Sequence, residues 1–156
     1  MLLAALASAC ASAAEPGHSG PSAKELMARI SAEGGKKVLS ELWANEQTFE
    51  VLLRPVEAGD PEWFKVWIKL RAYSDAAASE SIDISFARAL PVAPESVLKL
   101  IGHGLELNSI CGSPFIEPEP GVAELYERKA LAALARVRDV ELNAIAKECA
   151  ARVKLK

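Results

Sequence analysis

The chain has 156 residues, of which 51% are hydrophobic and 25% are charged, and its formal net charge at pH 7 is −3. This length is close to the commonest domain size and is enough to bury one sizeable core, so we expect a single domain. The mildly acidic balance lacks the basic stripe of a nucleic-acid-binding protein, and we expect no nucleic-acid partner.

The first fourteen residues carry no charged side chain and end in a run of small residues. Apolar residues followed by an A-x-A-like pattern are typical of an export signal, and we expect a signal peptide over residues 1–14 with cleavage after Ala14. The mature chain would then be periplasmic or secreted, and it contains no run of the roughly 20 apolar residues needed to span a membrane. Two alternatives stay open: an alanine-rich helix packed on the domain, or a lipid anchor through Cys10.

Residues 15–21 (EPGHSGP) are polar and rich in glycine and proline, and we expect them to form a disordered leader. A single helical domain over residues 22–156 follows. Its first helix begins with a capping box, in which Ser22 and Glu25 each satisfy a free backbone N–H of the first turn. Apolar residues then recur at helical spacing, namely Leu26, Met27 and Ile30.

Three further helices are predicted in the first half of the chain. The second follows Gly34-Gly35 and continues to about Ala44, and the third begins at Asn45. Pro55 must end or kink the third helix, because proline lacks an N–H and clashes with the preceding turn. The fourth has the clearest start, with Asp60 as N-cap before Pro61. Its aromatic stripe predicts a position at the centre of the core, and consists of Trp63, Phe64, Trp67 and Leu70.

The second half is punctuated by proline and glycine. A helix capped by Asp75 or Ser79 runs to Leu90, although the alternation of apolar residues at positions 82, 84 and 86 also fits a strand without a partner. A short helix follows Pro94, and residues 105–111 have room for one or two helical turns. Residues 112–120 (GSPFIEPEP) contain three prolines and should cross the surface in an extended form.

Two helices complete the domain, at about residues 121–137 and, after the N-cap Asp139, 140–154. The expected inward residues are Leu125, Tyr126, Ala130, Ala133, Leu134 and Val137 in the first, and Leu142, Ile145, Cys149 and Arg152 or Val153 in the second. Short helices joined by breakers predict an all-α fold, either an irregular antiparallel bundle or a compact stack of helix pairs.

Cysteine use predicts one disulfide. Loss of Cys10 with the signal peptide leaves an even pair, Cys111 and Cys149. In an oxidising compartment such a pair is expected to be joined, and the helical position of Cys149 places it on the buried stripe.

The residues offer little support for catalysis. The chain has two histidines, His18 and His103, without metal-ligand spacing, and we expect neither a metal nor a cofactor. Ser96 and Lys99 match S-x-x-K but lack the companion motifs of penicillin-recognising enzymes. A small Cys–His hydrolase using Cys111 and His103 stays open as an alternative, and it competes directly with the disulfide.

The remaining candidate is an interaction surface in the proline-rich segment, formed by Phe115, Ile116, Glu117 and Glu119. Flanking prolines would present the apolar pair to an envelope or secreted protein at low entropic cost. The alternative is a connector whose Phe115 and Ile116 both pack on their own domain. We therefore interpret the chain as an exported, non-enzymatic helical protein with a binding or structural role. An inhibitor or immunity protein against a secreted toxin is a further alternative, and the oligomeric state is left open.

Export is directly testable. The protein recovered from the cell envelope or medium should begin at Glu15, because the small residues before it form the cleavage site. Intact-mass spectrometry measures the new terminus, and a mature chain that still begins at Met1 would contradict the prediction.

Overall fold

The computed structural model describes residues 20–154, so the predicted signal peptide and residues 15–19 of the leader lie outside the described residues. Within 20–154 the chain forms helices and no strand, which confirms the all-α prediction. The helices are α1 (Ala23–Glu33), α2 (Gly35–Trp43), α3 (Glu46–Glu57), α4 (Pro61–Arg71), α5 (Ala76–Ala89), α6 (Pro94–Leu98), α7 (Leu107–Ile110), α8 (Val122–Leu134) and α9 (Asn143–Val153).

The predicted helix starts are capped by side chains. The Ser22 hydroxyl accepts from the N–H of Glu25, and the Glu25 carboxylate accepts from the N–H of Ser22, which completes the capping box of α1. At α3, α4 and α5 the side-chain oxygens of Asn45, Asp60 and Asp75 accept from backbone N–H groups of the first turn. Each cap stabilises the fold by about 1 kcal/mol, because it satisfies N–H groups that have no partner in the helix.

The segment over residues 82–86 is helical, within α5, which confirms the helix prediction and excludes the strand alternative. Two sequence expectations are corrected. Pro55 does not end α3, which continues to Glu57, because the proline lies in the last turn where only one hydrogen bond is lost and Val56 still packs in the core. Leu125 is 44% exposed, because it lies about 100° around α8 from Tyr126, which marks the buried face.

The aromatic helix α4 lies at the centre of the first half of the fold, as its stripe predicts. It contacts α1, α2, α3 and α5. Trp67 is completely buried, and its indole N–H donates to the backbone carbonyl of Leu52 at 3.0 Å. The Trp67 ring meets Phe49 edge-on at 5.0 Å, and Phe64 meets Phe86 on α5 at the same separation. These contacts bury the largest apolar side chains in one cluster.

A terminal hairpin of α8 and α9 completes the domain. A 3-10 turn at Val140–Leu142 lies between the two helices, and the hairpin is joined to the rest of the fold by the disulfide between Cys111 and Cys149, whose Cα atoms are 4.9 Å apart. The disulfide links the segment after α7 to α9. Two hydrogen bonds act alongside it: Tyr126 donates to the carbonyl of Ala87 at 2.8 Å, and Arg152 donates to Asn108 at 2.9 Å.

No helix within residues 20–154 combines the length and the apolar character that a membrane span requires.

The disulfide should contribute strongly to stability. It closes a 38-residue separation, for which the loss of unfolded-chain entropy corresponds to about 4 kcal/mol. Reduction should therefore lower the midpoint of thermal unfolding by about 10–15 °C. Circular dichroism with and without reductant measures this shift, and a Cys111→Ala/Cys149→Ala double variant should no longer respond to reductant.

Alkylation gives the matching chemical result. Two further cysteines should be modified only after reduction of the denatured protein. Modification of Cys111 and Cys149 in unreduced, denatured protein would contradict the disulfide.

Candidate partner-binding surface

The proline-rich loop, residues 112–120, connects α7 to α8 and contains no helix or strand. The loop changes from domain-facing to exposed after Phe115, and residues 116–120 are all exposed. Pro114 is buried, Phe115 is partly buried against the core, and Ile116 is 81% exposed. The structure thus separates the predicted apolar pair: Phe115 packs on its own domain, and Ile116 points into solvent.

Phe115 is anchored by two helices. Its ring meets the Tyr126 ring of α8 edge-on at 5.6 Å, and the guanidinium of Arg88 on α5 lies 5.5 Å from its centroid. Arg88 is itself held by an ion pair with Glu57 at 3.0 Å. Burial raises the pKa of Tyr126, so its hydroxyl stays protonated and continues to donate to Ala87. Aromatic and cation–π contacts of this kind fix the ring on the domain.

The backbone turns sharply just after Ile116. Glu117 has φ = 47°, and it is the non-glycine residue with positive φ among residues 20–154. A left-handed conformation costs about 1–2 kcal/mol for a residue with a Cβ atom. Ile116 therefore lies between an anchored ring and a constrained turn. Glu117 and Glu119 are exposed, and neither forms an ion pair within the part of the chain that the structure describes.

A groove of about 350 Å³ separates the proline-rich loop from α5. We name it the loop groove. The residues that line it combine apolar, hydroxyl and carboxylate groups, and are Ala76, Ser79, Glu80, Asp83, Ile84, Ser109, Ser113, Pro114, Phe115 and Ile116. The candidate surface is thus the loop together with one face of α5.

The side of the loop groove formed by α5 contains a nearly buried ion pair. Asp83, which is 7% exposed, accepts two hydrogen bonds from the guanidinium of Arg71, with 2.8 Å between Nη2 and Oδ2. The hydrogen bond with Asp83 raises the pKa of Arg71. The two parallel hydrogen bonds fix the relative position of both side chains. Removal of either side chain would destabilise the fold, because it would leave an uncompensated buried charge.

The other residues singled out by sequence are not brought into a reactive arrangement. The sulfur of Cys111 is bonded to Cys149, so it offers no thiolate to His103, which is exposed at a turn. The ammonium of Lys99 lies 3.3 Å from Asp139 rather than beside Ser96. Within residues 20–154 no group of three or more His, Cys, Asp or Glu side chains is placed to hold a metal ion.

Sequence reasoning missed a second, larger groove of about 610 Å³ near the start of the domain. It lies between the segment 20–23, α3 and the first turn of α4, with Pro55 and the partly buried Trp63 among its lining residues. Its walls come from separate elements, so no local pattern could have revealed it. Glu80 and Asp83 were also missed, although their spacing of three residues places both on one side of α5.

No family model matches the chain, and no curated protein or solved structure matches it significantly. The site has to be interpreted from its own geometry.

The separation of Phe115 from Ile116 predicts different costs for two substitutions. Phe115→Ser should lower the free energy of unfolding by about 2 kcal/mol, because a partly buried ring and its contacts are lost. Ile116→Ser should change it by less than about 0.5 kcal/mol, since the side chain is exposed. Urea unfolding measures both, with Phe115→Leu as a control that retains most of the apolar area. Equal losses for both serine variants would show that the two residues are anchored alike.

Proposed function

We propose that this chain is an exported protein that acts by binding a protein partner through the proline-rich loop and the loop groove. The observation that carries the proposal is Ile116, a large aliphatic side chain that is 81% exposed beside a ring anchored on the domain. Because its neighbour Phe115 is anchored, the backbone at Ile116 loses little conformational freedom on binding. More of the contact energy then appears as affinity.

The surroundings of Ile116 support a surface rather than an isolated exposed residue. Val122 and Leu125, at 38% and 44% exposure, follow it on the first turn of α8 and share one side of that helix. They are three of the seven large apolar residues that are exposed within residues 20–154, and they lie within ten positions of one another in the sequence. Apolar side chains that are concentrated in this way are typical of interaction sites.

The disulfide supports the proposed location. Disulfides persist in oxidising compartments and are rare in the cytosol, where thiols are kept reduced. Together with the apolar residues at the start of the chain, this favours a periplasmic or secreted protein. The same bond argues against the hydrolase alternative, because a disulfide sulfur cannot act as a nucleophile towards a substrate carbonyl.

Site-specific photo-crosslinking in the source cell tests the binding role. A benzophenone amino acid at position 116 should give a discrete crosslinked product that can be identified by mass spectrometry. The same group at Val92, which is 63% exposed on the turn after α5, serves as the matched control and should not give that product. The absence of a product at position 116, or the same product at both positions, would contradict the proposal.

A further inference from the structure

We propose that the loop groove receives a lysine or arginine side chain of the partner. This inference rests on the proposed binding function and specifies the chemistry of the contact. It follows from the mixed lining of the groove: Phe115, Ile116 and Ile84 offer apolar surface, and Glu80 offers an exposed carboxylate.

The dimensions suit one long side chain. The groove volume of about 350 Å³ is at the lower end of the range for ligand pockets. This volume is too small to hold a helix or strand of a partner. Lysine and arginine combine an aliphatic stem with a cationic end, and they commonly lay the stem along apolar surface while the charge stays near polar groups. The stem would contact Phe115 and Ile116, and the charge would lie near Glu80.

The charges of the groove are not balanced by the protein itself. Arg71 neutralises Asp83, but Glu80 forms no ion pair within the part of the chain that the structure describes. An anionic side chain would be repelled, and a purely apolar one would remove water from the carboxylates without replacing its hydrogen bonds.

Both sides of the groove already bind guanidinium groups within the protein. Asp83 binds the guanidinium of Arg71 with two hydrogen bonds. The guanidinium of Arg88 lies 5.5 Å from the centroid of the Phe115 ring. Because these two groups already have cationic partners within the protein, the carboxylate that is left for a partner's cation is Glu80. Carboxylate and aromatic contacts with a partner's cation would use the same chemistry.

A neighbouring groove provides an internal comparison. It has a similar volume of about 370 Å³ and lies between α3 and α5. Its two acids, Glu50 and Glu57, are matched by two cations, Arg54 and Arg88, among its lining residues. Because its charges are balanced, it has no comparable preference for a cation. With Asp83 neutralised by Arg71, the loop groove is distinguished by one carboxylate without an ion pair in the described residues, that of Glu80.

The probes are Nα-acetyl-lysine methylamide, its arginine equivalent, and the uncharged Nα-acetyl-norleucine methylamide, added to the ¹⁵N-labelled protein as it is isolated from the cell. The two cationic probes should bind with millimolar affinity, and their binding should shift the amide resonances of Glu80, Ser113 and Ile116. Norleucine should bind at least about fivefold more weakly, since it lacks the ion pair. The Glu80→Gln substitution should lower the affinity for the lysine probe by about the same factor.

Glu46→Gln is the matched control, because Glu46 is exposed on α3 and lines neither groove. This variant should bind the lysine probe as the unmodified protein does. Equal binding of lysine and norleucine, or equal effects of the two glutamine variants, would overturn the inference.

The two proposals fail separately. If the crosslink at position 116 forms but the lysine probe does not bind in the groove, the cation assignment is wrong and the binding function stands. If the probe binds but no crosslink forms, the groove recognises cations and the proposed partner-binding function is wrong.

Discussion

The disulfide between Cys111 and Cys149 is the connection on which the geometry of the candidate surface depends. The proline-rich loop starts directly after Cys111 and ends at α8, and α8 packs against α9, which carries Cys149. Both ends of the loop are therefore attached to one cross-linked unit. A nine-residue segment without helix or strand would otherwise sample many conformations, each of which would have to be given up on binding. The cross-link removes much of that freedom in advance.

Within this frame, Phe115 decides how the loop is presented. Its ring contacts Tyr126 and Arg88, so it joins the loop to α8 and to α5 at once. A sharp turn with positive φ follows at Glu117, and residues 116–120 are exposed. Phe115 and Ile116 thus have opposite roles, since Phe115 holds the loop on the domain and Ile116 is exposed to solvent. An interface built this way separates the stability of the fold from the energy of binding.

The local features of the fold were predictable because they depend on neighbouring residues. Side-chain caps such as Ser22 and Asp60 and the aromatic stripe of α4 act over one or two turns, and the structure contains them all. The continuation of α3 past Pro55 was not predictable from neighbouring residues. It depends on core packing, which outweighs one lost hydrogen bond.

The candidate site was predictable only in part. The proline-rich loop was identified from composition, but Phe115 and Ile116 were treated as a pair. Phe115 is held by Tyr126 and Arg88 on two other elements, so no local pattern separates it from Ile116. The groove could not have been found from a local pattern either. Asp83 meets Arg71 across a separation of twelve residues and two helices, and adjacent acids on a helix ordinarily indicate a solvated face.

The mixed character of the surface makes its two kinds of contact respond differently to ionic strength. The packing of Phe115 against Tyr126 is apolar and is not screened, whereas the field of Glu80 acts through solvent. The screening length falls from about 10 Å at 0.1 M salt to about 3 Å at 1 M. Concentrated salt would therefore weaken the attraction of the proposed basic partner while leaving the loop in its anchored position, so that its release would require no unfolding of the surface.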